Sequence, residues 1–165
     1  MSHKHKKHHH NKIRRNPTAL IAALIVAFSA FLPLLSSKLF GESFDNPQLS
    51  MVNVFGEILS KPVSEPTLQI PSLILVISFA IILVLYSLNG LGLVFNRYSM
   101  YASFLTVPYL FAGLYIANVT NSGLSNPFLG NTLASVSIGP GIYLVPLVGL
   151  FYIIFRREIN WRVHI

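Results

Sequence analysis

The chain has 165 residues, of which 53% are hydrophobic and only 10% are charged, and its formal net charge is +7. This composition excludes an ordinary soluble globular domain, because about a quarter of the residues in such domains are charged. The chain has no cysteine, which excludes a disulfide framework, a thiolate metal site and a cysteine nucleophile.

The charged residues leave three long gaps. Uncharged runs of 22, 31 and 58 residues lie between Arg15 and Lys38, between Glu65 and Arg97, and between Arg97 and Arg156. A helix needs about 20 apolar residues to cross a hydrocarbon core of about 30 Å. The first two runs can therefore hold one span each and the third can hold two. The pattern predicts an all-α membrane protein with four transmembrane helices.

Residues 1–17 form a polar, basic tail, which we expect to be disordered and cytoplasmic. A histidine cluster in this tail is a weak metal-site candidate, since imidazole nitrogen binds Zn, Ni or Cu. Interleaved lysines and arginines repel cations, so we favour the alternative that the tail is attracted to anionic lipid headgroups. The histidines concerned are His3, His5, His8, His9 and His10.

Span one is predicted over about 18–37, with Pro33 as a kink or an early stop. Ala19, Ala23 and Ala27 recur every four residues. Small residues at this spacing let another helix approach closely. We therefore predict that the alanine face packs against a helix.

The first segment between spans, about 38–70, holds four of the five acidic residues. Asn46 and Pro47 form a helix-start signal, and apolar residues follow at helical spacing. We predict a short amphipathic helix over about 47–60, lying on the membrane surface or on the ends of the spans. The alternative is an irregular loop with scattered apolar anchors.

Three more spans are predicted, over about 71–95, 99–119 and 135–155, with residues 120–134 as a loop. Prolines inside such helices are tolerated where neighbours satisfy the freed carbonyls. At the start of span four, Gly139-Pro140-Gly141 is either a broken-helix substrate site or a turn that allows close packing. We favour the turn.

The basic residues predict the orientation. Ten lie in the two terminal segments and in the turn between spans two and three, whereas only Lys38 and Lys61 lie in the other two segments. Basic residues concentrate on the cytoplasmic side, so both termini, including the tail 156–165, are predicted to be cytoplasmic. The alternative is a cleaved signal peptide. It is disfavoured because the apolar run is too long and no small-residue cleavage site follows.

The predicted function is that of a non-enzymatic, multi-pass cell-membrane protein. No span contains an ionisable residue, whereas such residues mark the proton and ion pathways of pumps and coupled transporters. We therefore expect an accessory or structural subunit that packs against other membrane proteins or itself, with no cofactor and no nucleic-acid partner. The alternative is a passive pore or small-molecule carrier. A membrane enzyme would need catalytic carboxylates from residues 38–70.

Two short motifs support a resemblance. Phe31-Leu32-Pro33-Leu34 ends the first span, and a Gly-x-Gly motif at Gly139 and Gly141 opens the fourth. In these motifs and in its overall layout the chain resembles a class of small, largely uncharacterised four-span membrane proteins. A tryptophan commonly follows the proline of the first motif in that class, where this chain has Leu34. The resemblance implies the four-span fold and no activity.

Overall fold

The computed structural model describes residues 16–39, 42–45, 50–60, 66–124 and 134–161. The described chain is mostly helical, as predicted. Its elements, in chain order, are α1 (Pro17–Ser29), β1 (Leu35–Leu39), β2 (Glu42–Asp45), α2 (Met51–Ser60), α3 (Pro66–Gly90), α4 (Asn96–Leu124), β3 (Ala134–Ile138) and α5 (Pro140–Trp161).

Two helices are long and apolar enough to cross a membrane. They are the segment Thr67–Gly90 of α3, with a mean hydropathy of 2.7, and the segment Asn96–Asn121 of α4, with 1.4. Helix α1 and the segment Pro140–Phe155 of α5 are also apolar but shorter. Helices α4 and α5 continue through Pro108 and Pro146, as predicted.

The predicted far end of span one is wrong. Helix α1 ends at Ser29, and β1 occupies part of the predicted span 18–37. The reason lies in Pro33, which has no amide hydrogen and disfavours a helical conformation at the residue before it. Hydrogen-bonded turns follow the end of the helix. In one of them the Leu32 amide donates to the Ser29 carbonyl at 3.2 Å.

The predicted start of span four is also wrong. Residues Ala134–Ile138 form strand β3, and α5 begins at Pro140, a favourable first-turn position for proline. Strand β3 pairs with β1 in antiparallel register, with Leu35 opposite Ile138. Strand β2 pairs antiparallel with the other edge of β1, which gives the order β2-β1-β3. The three strands were not predicted.

The two long helices differ from the predicted spans at their ends. Helix α3 begins at Pro66, five residues before Pro71, and ends at Gly90 rather than Phe95. The turn after α3 contains Gly92 with a φ of 76°, a backbone angle that residues other than glycine rarely adopt. Helix α4 extends beyond the predicted 99–119 at both ends, so Arg97 lies in its first turn.

The C-terminal end of α4, up to Leu124, occupies residues that were predicted as part of the loop 120–134. Thr120 stabilises this extra turn by donating its hydroxyl to the Ile116 carbonyl at 2.8 Å. The Asn121 side chain then accepts a 3.4 Å bond from the Val136 amide of β3. Contact with β3 therefore supports the extension, and residues 125–133 lie outside the described part.

The predicted amphipathic helix is present as α2. Over the described residues it runs from Met51 to Ser60, and the predicted start at 47 lies outside them. Met51 is buried, while Val52 and Phe55 are exposed. The Val52 amide binds the Ala30 carbonyl at 3.3 Å, so α2 is attached to the break that follows α1.

Four helices form a ring. Helix α1 packs against α3 and α5, and α4 packs against the same two helices. The buried residues are small and hydroxyl-bearing residues together with large apolar ones such as Leu75 and Ile82, and many large apolar side chains also cover the outside. Examples of the exposed large residues are Leu24, Phe28, Ile77, Phe104, Phe111 and Leu150. An apolar outside is unlike that of a soluble bundle, in which the outer face of each helix is polar.

Two residues of the predicted alanine face of α1, Ala19 and Ala23, are buried in this ring. Replacing Ala23, which is 5% exposed, by leucine is expected to lower the free energy of unfolding by about 1–3 kcal/mol, because added volume strains a packed interior. The matched control is Ala80→Leu, at an exposed alanine of α3. Thermal unfolding of both variants in detergent measures the effect. An equal loss at the two positions would contradict the prediction.

Candidate functional site

The ring has two ends. At the tail end α1 begins, α3 ends, α4 begins and α5 approaches its end; at the sheet end the other helix termini meet β1 and β3. Polar contacts between helices concentrate at the tail end. We call Asn16, Tyr86, Asn89, Ser99, Ser103 and Tyr152 the polar cluster.

Asn89 lies at the centre of the polar cluster and is only 1% exposed. Its side-chain amide donates to the Ser99 hydroxyl of α4 and, at 3.2 Å, to the Tyr152 hydroxyl of α5. One residue of α3 therefore holds two other helices. Its Oδ1 is buried and has no hydrogen-bond partner in the described structure, and such an atom costs about 1–3 kcal/mol.

Asn16 joins the first helix to the polar cluster. Its Oδ1 caps α1 by accepting from the Ala19 amide at 3.3 Å, as asparagine commonly does before a first-turn proline. Its Nδ2 donates to Tyr152 Oη at 3.1 Å and to Asn96 Oδ1 at 3.2 Å. Its backbone amide reaches the Gly90 carbonyl at 3.3 Å. All four helices of the ring thus meet in this cluster.

Hydroxyl groups extend the cluster along α4. Tyr86 and Ser103 share a hydrogen bond of 2.8 Å between α3 and α4. Ser103 also donates to the Ser99 carbonyl at 3.0 Å, and Thr106 donates to the Ser103 carbonyl at 2.6 Å. The rings of Tyr86 and Tyr152 lie 5.3 Å apart. The Tyr86–Ser103 bond therefore joins two helices, whereas the bonds to the Ser99 and Ser103 carbonyls lie within α4.

A second polar contact region lies at the sheet end, around the break between α1 and β1. The Gly139 amide donates to the Leu34 carbonyl at 2.7 Å, and the Gly141 amide donates to the Pro33 carbonyl at 3.0 Å. Tyr109 of α4 donates its hydroxyl to the Gly141 carbonyl at 3.1 Å. The chain leaving α1 is thus held by the chain entering α5.

The structure places the predicted packing residues as follows. Ala19 and Ala23 are 0% and 5% exposed, and Ala27 is half-buried. The weak metal candidates His3, His5, His8, His9 and His10 lie outside the described residues. Within the described residues, no group of three or more His, Cys, Asp or Glu side chains could hold a metal ion.

Sequence reasoning missed the polar cluster. None of its six members is among the residues predicted as a site. A usable signal was present at Asn16, because asparagine directly before proline is a helix-start pattern. The other members of the cluster have no such sequence signal. Which of them are hydrogen-bonded to each other depends on how the helices are arranged in the ring.

The site is neutral and its members are hydroxyl and amide groups. Such groups can hold helices in register or accept a small hydrogen-bonding molecule, and they do not activate a nucleophile without a neighbouring base. Comparison of the chain with protein-family models, with curated proteins and with solved structures finds no match.

Proposed function

We propose that the chain is a four-span membrane protein with cytoplasmic termini, acting as a non-enzymatic accessory or structural subunit of a membrane assembly. The observation that carries the proposal is the apolar outside of the ring. Large apolar residues such as Leu24, Phe104 and Leu150 are 57–64% exposed, in addition to a buried core that includes Leu75 and Ile82. Lipid or partner helices would cover this apolar outside.

Two of the four proposed spans rest on shorter apolar segments, helix α1 and Pro140–Phe155 of α5. Helix α1 has 13 residues and is about 20 Å long, less than a hydrocarbon core of about 30 Å. The apolar residues 30–34 continue its path toward the sheet. Non-helical backbone is tolerated at membrane depth where protein satisfies its polar groups. The bonds from Gly139 and Gly141 to this segment supply that condition.

The polar contacts of the ring favour a structural role. The hydroxyls of Tyr86, Ser103, Thr106 and Tyr109 each have a partner in a neighbouring helix or in the backbone. The hydroxyls of Tyr86, Ser103 and Tyr109 make contacts between helices, while that of Thr106 bonds within α4. The passive pore therefore has less support than the structural subunit.

The proposed orientation predicts which positions are accessible from outside the cell. In the cysteine-free chain, His5→Cys is expected to resist a membrane-impermeant maleimide in intact cells, whereas Asp45→Cys is expected to react. The physical reason is the ten-to-two distribution of basic residues. Both positions should react after permeabilisation, which is the control. Labelling at position 5 and protection at position 45 in intact cells would overturn the orientation.

The subunit role is tested by purification in mild detergent. We expect the wild-type chain to retain a partner membrane protein, or a second copy of itself, in stoichiometric amount. Resistance of the chain to alkaline carbonate extraction is the prior control for membrane insertion. A chain that inserts and yet purifies only as a monomer would contradict the subunit role.

A further inference from the structure

A small cavity lies at the sheet end of the ring, where the break after α1 meets α2, α3, α4 and α5. Its volume is about 80 Å³. Each of these segments contributes at least one side chain to its walls, and none of the lining side chains is ionisable. No residue of the polar cluster lines it, so the cavity is a separate feature of the fold.

The floor of the cavity is apolar and fully buried. It is formed by Leu34, Leu35, Leu75 and Ile142, which are 1–7% exposed. Ile142 is packed from behind by the backbone of α4 at Gly113, where an added Cβ would lie 2.6 Å from its Cδ1. Apolar cavities in proteins stay dry and bind small apolar molecules or groups.

The mouth of the cavity is formed by three half-buried residues, Val54 of α2, Ser72 of α3 and Ile116 of α4. Ser72 supplies the one hydroxyl group of the lining. Its Oγ has no hydrogen-bond partner among the described residues, whereas the Thr120 hydroxyl of α4 donates to a carbonyl of its own helix. The mouth thus presents a free hydroxyl beside an apolar space.

We infer that the cavity binds a small, neutral amphiphile, a molecule with a few carbon atoms and one hydroxyl group. The carbon atoms fill the apolar floor, and the hydroxyl forms a hydrogen bond with Ser72 Oγ. Ligand cavities commonly combine apolar walls with a few placed polar groups. A charged ligand is disfavoured, because the lining has no opposite charge and an unpaired buried charge is costly.

The size of the cavity restricts the ligand further. An apolar cavity of about 150 Å³ holds benzene, so one of about 80 Å³ has room for about three or four heavy atoms. 1-Propanol, with three carbons and one hydroxyl, therefore suits it. The end of a lipid acyl chain would fill the floor equally well, but it would leave the Ser72 hydroxyl without a partner.

A ligand in the cavity is expected to stabilise helix α2. This helix is attached by its first turn, since Met51 is buried and the Val52 amide binds the Ala30 carbonyl. Beyond that turn Val54 is half-buried, while Phe55 and Gly56 are exposed. A ligand that touches Val54 adds a contact to a helix that has few.

The cavity is tested by measuring the binding of 1-propanol to purified full-length protein in detergent with ligand-observed NMR. Val54→Phe fills the mouth and is expected to lower the affinity at least tenfold. Val52→Phe places the same bulk at an exposed position of the same helix, 46% exposed, and is expected to leave the affinity unchanged. Equal affinities of the two variants would overturn the inference.

The hydroxyl contact is tested with a matched pair of serines in α3. Ser72→Ala is expected to lower the affinity for 1-propanol about fivefold, because one neutral hydrogen bond is lost. The same variant should bind xenon, an apolar probe, as the wild type does. Ser87→Ala alters a half-buried serine at the tail end and should affect neither probe. Equal losses of propanol binding at both serines would overturn the placement of the ligand hydroxyl.

Hydrogen exchange of the wild type tests the site without any substitution. 1-Propanol is expected to slow exchange of the α2 amides and to leave the first turns of α4 unaffected, because those turns lie at the tail end. Unchanged exchange in α2 would overturn the inference. A chain that inserts in membranes and retains a partner, but binds no 1-propanol, would contradict the cavity assignment alone and leave the proposed function intact.

Discussion

Replacing Gly139 by alanine is expected to cause the largest loss of stability of any single methyl addition considered. A Cβ at this position would lie 2.3 Å from the Pro33 carbonyl oxygen and 3.0 Å from the Leu34 carbonyl carbon. Both neighbours are backbone atoms, which cannot rotate away as a flexible side chain can. The chain entering α5 must therefore separate from the chain leaving α1.

That separation breaks two further contacts. The bonds from the Gly139 and Gly141 amides to the Leu34 and Pro33 carbonyls anchor the break after α1. Overpacking costs about 1–3 kcal/mol, and each lost hydrogen bond adds about 1 kcal/mol. We expect the free energy of unfolding to fall by about 3–5 kcal/mol. The measurement is equilibrium or thermal unfolding of the purified protein in detergent.

The matched control is Gly56→Ala in helix α2. A Cβ at Gly56 meets no atom within 4 Å, and the residue is exposed. Alanine is a better helix former than glycine, so this change is expected to raise stability by about 0.5–1 kcal/mol. Alanine is thus expected to lower the free energy of unfolding at Gly139 and to raise it at Gly56. A similar small effect at both would show that the sheet end is not tightly packed around Gly139.

The second large effect is expected at Asn89. Substitution by aspartate keeps the size of the side chain and replaces the amide donor with a carboxylate. Because Asn89 is 1% exposed, the variant loses the donated bonds to Ser99 and Tyr152 and buries a charge. A buried carboxylate without a charged partner costs several kcal/mol. We expect a loss of that order in stability, or failure of the chain to accumulate in the membrane.

An isosteric change elsewhere in the ring provides the control for Asn89→Asp. Asn118→Asp alters an exposed residue of α4 and is expected to change stability by less than about 0.5 kcal/mol. Membrane accumulation of the two variants is compared by quantitative immunoblotting, and their unfolding midpoints in detergent are then compared. If both are tolerated equally, Asn89 is open to water and the polar cluster does not hold the ring together.

The long helices could be predicted from the sequence because their signal is local. Runs without charge led directly to α3 and α4, and the proline before the first apolar run led to the start of α1. The helix ends were less predictable. Gly90 and Gly92 end α3 earlier than hydropathy indicates, while contact with β3 extends α4 beyond the predicted end of span three.

The strands could not be predicted in the same way. Residues Leu35–Ser37 follow an apolar run with no charged residue between, so they were assigned to the first span. Their strand conformation depends on pairing with β3 about 100 residues later, which no local pattern reveals. The polar cluster of the candidate site could not be predicted for the same reason. Spacing within one helix identified the alanine face, whereas the polar cluster needs residues from four separate helices.

The pairing of β1 with β3 also has a consequence for the order of assembly during synthesis. Ser36 and Ser137 are bonded across a separation of 101 residues, so the central strand gains its second neighbour only after most of the chain has been made. Until then β1 has an open edge, which is prone to wrong pairing. The nascent protein therefore remains incomplete at this end until β3 has been made and has paired with β1.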